Sequence, residues 1–271
     1  MSWLLTLVTL EARRVARRPW VQVGVAAGAA LAVVAVVVAA THEGLAREDA
    51  LRRGTASLLL LGGLALAIAL GSAALNRDAT GGHFGMLLGG GASRPQVIAG
   101  AVGARLVILV GALAAWTVIV QAGALALGLG LDGPLAVHAL AVGEGLVLAL
   151  LACAAASAIV APAAAGVFGA SVYVVAQAAV NLKAAADQGL IGTADAGVSF
   201  LYWISPRAVT SPMIADMQFR DVAGPAAPRV EINQNTVIVP AAEWDTVVWT
   251  LAWCVLLALV CVTGLRRRPV N

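Results

Sequence analysis

Lysine is nearly missing from this 271-residue chain: of its 17 basic residues only Lys183 is not arginine. A phosphate-binding loop of the form G-x-x-x-x-G-K-[ST] needs lysine straight after glycine, yet Lys183 follows Leu182, so the chain carries no such nucleotide site. Charge of both signs is scarce as well. Asp, Glu, Lys and Arg make up 11% of residues while 61% are hydrophobic, against about 25% charged and roughly 45 to 50% apolar in an ordinary soluble domain. So much apolar side chain cannot hide in one core, which excludes a soluble enzyme. The three cysteines, Cys153, Cys254 and Cys261, lie inside apolar runs and point to core thiols, not to a disulfide framework or a cysteine metal site. No G-x-S-x-G or H-E-x-x-H string occurs, so neither a serine nor a zinc hydrolase has support.

What the chain has in excess is long apolar runs: Val21 to Ala40, Ala56 to Leu75, Val97 to Leu131, Leu135 to Val160, Ala163 to Val180 and Val247 to Gly264. A spanning helix needs about 20 mainly apolar residues, and backbone groups in hydrocarbon must be paired internally. Each run is therefore a helix, with spans at about 20–41, 55–75, 97–128, 135–160, 162–181 and 246–265 in a single transmembrane domain covering 1–271. The third run is too long for a bare span. It begins before the membrane and ends in a turn near Leu131-Asp132-Gly133-Pro134, and Pro162 separates the fourth and fifth runs by a tight turn.

Arginine is enriched in cytosolic loops, and its distribution here is lopsided. If both termini are inside, Arg13, Arg14, Arg17, Arg18, Arg77, Arg94, Arg105, Arg266, Arg267 and Arg268 face only Glu11 and Asp78, whereas the outer side holds seven basic and eleven acidic residues. The expected location is a cell (inner) membrane of a bacterium, multi-pass, with both termini cytoplasmic.

Two segments stand apart from the spans. Residues 2–18 place Leu4, Leu5, Val8, Ala12 and Val15 on one helical face and Thr6, Thr9, Arg13 and Arg17 on the other. This is the pattern of an interfacial helix whose Arg13, Arg14, Arg17 and Arg18 sit near anionic headgroups, the plainer alternative being a basic flank that only sets topology. Residues 182–244 form the outer segment, with five of the ten prolines lying between Asn181 and Asp245. Pro212 to Phe219 fits a short helix and Val230 to Val239 fits a hairpin. The expected fold is thus all-α: an amphipathic N-terminal helix, six transmembrane helices and a small external segment.

The loop between the second and third spans, residues 76–96, contains Arg77-Asp78-Ala79-Thr80-Gly81-Gly82-His83-Phe84-Gly85-Met86-Leu87-Leu88, then Gly89-Gly90-Gly91-Ala92-Ser93-Arg94-Pro95, with Gly100 beyond it. It resembles the loop of ABC-2 type permeases, the six-span membrane subunits of one class of ATP-binding-cassette transporter. Gly82, Leu87, Leu88, Ser93, Arg94 and Gly100 fall at the matching spacings. His83 replaces a threonine, Gly85 an often acidic residue, Gly91 a proline and Ala101 a lysine. The resemblance implies that this loop holds a coupling helix for a separate ATPase, with Asp78, Gly82, Phe84, Met86, Leu87, Leu88, Ser93 and Arg94 at the contact. On the residues alone, exposed Phe84, Met86, Leu87 and Leu88 would make a partner-facing knob.

Glu144 is an ionisable group at membrane depth, which is a functional candidate by default. It either lines a translocation path or subunit interface, or is a neutral acid hydrogen-bonded to a neighbouring helix. Arg105 either snorkels to the cytosolic boundary or enters a central cavity. His138 lies six residues from Glu144 with no third ligand at helical spacing, so no metal site is expected. Gly24 and Gly28 form a small-residue pair, for which ordinary packing is the simplest account. The reading that follows is a permease subunit of an ATP-driven exporter, not itself an enzyme. No cofactor binds this chain; ATP and magnesium belong to the cytosolic ABC ATPase subunits. A second permease copy, membrane lipid and an external protein are the other partners, and nucleic acid is not one. Two alternatives stay open: a mechanotransmission subunit driving an external partner, and a proton-coupled secondary transporter using Glu144.

Overall fold

The computed structural model describes residues 2–187, 195–207 and 244–264, and the side chains of 77–81 fall outside that set. The hairpin and the short helix expected within 208–243 also lie outside the described residues. The described residues are 88% helical, without a strand. Its helices are α1 (Ser2–Ala16), α2 (Pro19–Ala40), α3 (Gly44–Ser57), α4 (Gly63–Ser72), α5 (Arg77–Gly89), α6 (Arg94–Ala126), α7 (Gly133–Ser157), α8 (Pro162–Asp187), α9 (Asp195–Ile204) and α10 (Trp244–Gly264). Among these residues six helical stretches are long and apolar enough to cross a membrane: Pro19–Ala40, Gly44–Ser72, Arg94–Ala126, Gly133–Ser157, Pro162–Lys183 and Asp245–Thr263. The protein is a helical, multi-pass membrane protein.

Local chemistry sets the helix ends. Pro19 opens α2 and Pro162 opens α8, where a missing N–H costs no hydrogen bond. Ser93 starts α6 with a capping box, its own N–H donating to Gln96 Oε1 at 2.9 Å. Asp132 caps α7 by accepting from the Leu135 N–H at 3.1 Å. Gly91, at φ +89°, supplies the left-handed turn that reverses the chain between α5 and α6.

The second span departs from the expected boundary. Its helix begins at Gly44 instead of near residue 55, and α3 runs through a π-helical turn at Leu58–Gly62 straight into α4. The charged stretch is helical because its charges are paired along the helix and across it. Arg53 bonds Asp49 at 2.7 Å, and Arg52 bonds Glu48 at 2.8 Å and Asp132 in bidentate fashion at 2.7 and 3.2 Å. Gln121 closes the same knot by exchanging two hydrogen bonds with the Asp132 backbone, at 2.7 and 3.0 Å. One end of α3, α6 and α7 is thereby tied together. At the opposite end, where α1 lies, Ser157 of α7 accepts from the Leu75 N–H at 3.1 Å.

Between these two ends the helices meet through glycines. Trp116 of α6 is 1% exposed and donates its indole N–H to the Val25 carbonyl of α2 at 3.0 Å. A Cβ on Gly28 would stand 2.0 Å from its ring. Gly71 of α4 and Gly169 of α8 close on Cys153 of α7 in the same way, at 2.6 Å from Cβ and 2.0 Å from Sγ for an added Cβ. The Gly28 position of the small-residue pair is thus committed to one indole.

Candidate functional site

At the α1 end three helices converge on one carboxylate. α1 packs along the start of α6, with Leu7 against Gly100 and Val8 against Gly103. Its inward face is Leu7, Glu11 and Val15, so Leu4 and Leu5 remain exposed while Arg13 and Arg17 point away from the bundle. Of the expected apolar face, Val15 is buried and Val8 and Ala12 are half-buried, whereas Leu4 and Leu5 stay exposed and Glu11 goes inward. Glu11 is only 4% exposed, and its Oε1 accepts from Arg14 at 3.2 Å and from His83 of α5. Nothing in the sequence marks it as buried, since a lone glutamate beside four arginines looks like a solvated pair.

The loop helix α5 sits against this carboxylate, and it corrects the expected knob. Phe84, Leu87 and Leu88 are only partly exposed: they pack inward against Leu7, Ala92 and Val97. An apolar face at spacing i, i+3, i+4 marks a buried stripe without saying whose surface buries it; here α1 and α6 of the same chain do. The outward face is Gly82, Gly85, Met86 and Gly89, with Met86 70% exposed and open space at all three glycines. Ser93 and Arg94 begin α6, Ser93 as its cap. The side chain of Asp78 is outside the described residues.

The Arg105 side chain is held by backbone carbonyls. It is 3% exposed, and its guanidinium donates to the Leu70 carbonyl at 3.1 Å, Ala73 at 3.5 Å and Ala101 at 2.7 Å. Leu70 belongs to the last turn of α4, where carbonyls have no intrahelical partner and the helix dipole is negative. Arg105 closes that helix end. Glu144 lies elsewhere, on the α7 face toward α10 and within electrostatic reach of Cys254. Its Oε1 is buried without a hydrogen-bond partner among the described residues. The structure does not bring the two pathway candidates together. No group of three metal-ligating side chains occurs among the described residues.

A fourth feature, at the end far from α1, was not read from the sequence. Arg207 is 1% exposed and stacks on Tyr202, Trp203 and Trp249 at 3.8, 4.8 and 5.2 Å from the ring centroids, while donating to Asp245 at 3.2 Å. Its carbonyl accepts from the Thr250 hydroxyl, and the Trp249 indole donates to the Ser205 carbonyl at 2.8 Å. The end of α9 is thereby knotted to the start of α10. The only advance signal was the density of aromatics around Leu201, Tyr202, Trp203 and Trp244. Replacing Arg207 by lysine keeps the charge but loses the planar stack. The expected result is faster proteolysis near residues 205–207 in purified protein, with the six spans still intact by gel analysis. Comparison of the chain with protein-family models and with curated proteins finds no match to either.

Proposed function

We propose that this chain is the membrane subunit of an ATP-driven exporter of the ABC-2 permease type, and that α5 docks a separate cytosolic ABC ATPase. The observation that carries the reading is the outward face of α5. A short helix between the second and third candidate spans has its apolar side held by its own chain and its other side bare, three glycines around Met86. Glycines let a partner reach the helix backbone, and methionine is an adaptable apolar anchor. The residues that carry the resemblance have structural work consistent with it: Leu87 and Leu88 seat α5, Ser93 caps α6, and Gly100 receives α1. In this reading the arginine-rich α1 end is cytosolic and the Arg207 knot is external.

Two copies of the chain form the pathway, each with its α5 in a groove of one ATPase. ATP and magnesium are held by the ATPase pair, whose closure draws the two α5 helices together and moves the spans between inward-open and outward-open states.

The test is Gly85→Trp. An added Cβ there meets nothing within 4 Å among the described residues, and tryptophan is the better helix former, so folding is expected to be spared while a docked partner is blocked. Tagged protein extracted from native membranes is expected to lose its ABC ATPase. Met86→Ala should weaken capture by roughly tenfold or more, as truncation of a central anchor does. Leu131→Trp, at an exposed position on the far end, should capture as wild type does. Stoichiometric ATPase on the Gly85 variant, or none on the wild type, would overturn the reading.

A further inference from the structure

The connection between α5 and the rest of the chain is lopsided in a way that assigns a role to Glu11 and His83. Covalently α5 is held by two short connectors, residues 73–76 and 90–93, the second containing Gly90 and Gly91. Such a helix can rock on its connectors unless side chains stop it. Two contacts do so: the apolar seat of Phe84, Leu87 and Leu88 against Leu7 and Val97, and the bond from His83 Nε2 to Glu11 Oε1. The second is a side-chain polar link between α5 and α1. Leu7 and Glu11 are four residues apart on the same face of α1, so the polar bond and part of the apolar seat end on α1, the rest of the seat being Ala92 and Val97 at the start of α6.

We propose that Glu11 and His83 are positioning residues that lock α5 to α1, so that the interfacial helix and the loop helix move as one body. Displacement of α5 then reaches α6 through α1, by way of Leu7 against Gly100 and Val8 against Gly103, in parallel with the glycine-containing connector. The carboxylate is suited to this. It is almost fully buried, so the interaction is little screened by salt, and Arg14 holds the same oxygen in place. Arg105 and Arg18 add to the charge around it, with Glu11 the one acidic group among the influences on Arg105. Leaving such a carboxylate without its α5 donor is costly, and a charge-assisted bond is about twice as strong as a neutral one.

The value of this lock for transport rests on the function proposed above; its existence does not. Hydrogen exchange on the purified full chain in nanodiscs, without any ATPase, tests it. His83→Ala lies on α5, yet it is expected to speed exchange in α1, over residues 5–16, as well as over 82–89, by about tenfold. Glu11→Ala should do the same to both segments. The double variant should be no faster than Glu11→Ala alone, because that single variant already lacks the bond to His83. Glu11→Gln should fall between wild type and Glu11→Ala, since the amide oxygen still accepts from His83 and Arg14 but without the charge. Exchange confined to the mutated helix, or effects that add in the double variant, would overturn the proposal. Loss of ATPase capture by these variants is scored separately. If exchange behaves as expected while capture is unchanged, the lock stands and the docking role of α5 falls.

Discussion

Gly28→Val is expected to lower the melting temperature of the detergent-solubilised protein by about 10 °C or more, or to leave no folded protein to extract. A Cβ at Gly28 would lie 2.0 Å from Trp116 Cζ2 and 2.2 Å from Cε2, so the indole must leave its place. It cannot swing aside cheaply, because its N–H is bonded to the Val25 carbonyl at 3.0 Å and the ring is enclosed. Overpacking costs roughly 1 to 3 kcal/mol or more, and loss of the buried hydrogen bond adds about 1 kcal/mol or more. A domain of this size shifts by about 2 to 4 °C per kcal/mol. Gly111→Ala in α6 is the control, since nothing lies within 4 Å of its added Cβ. Gly28→Leu with Trp116→Ala should recover part of the loss, because leucine occupies space the indole vacates. Thermal unfolding followed by size-exclusion chromatography measures all four. A wild-type melting temperature for Gly28→Val would mean that α2 and α6 do not meet at this point.

The second large effect is expected at Arg105. Methionine keeps an unbranched apolar stem but removes every donor, leaving the Leu70, Ala73 and Ala101 carbonyls without the guanidinium. A bond to a charged group contributes roughly 1.5 to 3 kcal/mol, and a stranded buried acceptor costs a further 1 to 3 kcal/mol. Arg105→Met should therefore destabilise the protein by about 3 kcal/mol or more. Lysine should fall between, since one ammonium on a flexible stem cannot match the fan of the guanidinium. Unfolding midpoints ranked arginine, lysine, methionine would establish the helix-end role. Unchanged midpoints together with altered transport would return Arg105 to the translocation path.

The contrast between these two sites explains what the sequence revealed and what it did not. Six spans were legible because each is a run of some 20 apolar residues, a property of consecutive positions. The turn near Asp132 was legible for the same reason, being four residues of turn chemistry between two such runs. The long helix preceding the second span was not. Its polar residues satisfy one another at spacing four and, through Arg52, reach Asp132 80 residues away. Arg105 was equally opaque, because its acceptor at Leu70 is 35 residues earlier in the chain and is a backbone atom, which no side-chain pattern announces. For α5 the sequence located the helix and its apolar face but not which surface covers that face. Phe84, Leu87 and Leu88 look the same whether the cover is α1 or another protein. Glu11 shows the converse: its burial follows from the face on which α1 packs, and that face is fixed by Gly100 and Gly103, some 90 residues on.

The knot at Arg207 has a consequence for how this protein can change over time. The chain departs at Arg207 and returns by Asp245, and these two residues are bonded to one another. Whatever lies between them is inserted at a single fastened point, so its length need not alter the spacing of the flanking helices. Doubling the length of a flexible closed loop costs only about 0.6 kcal/mol. Residues inserted between Arg207 and Asp245 are therefore expected to leave the register of α9 and α10 unchanged, because the chain is fastened on both sides of the insertion.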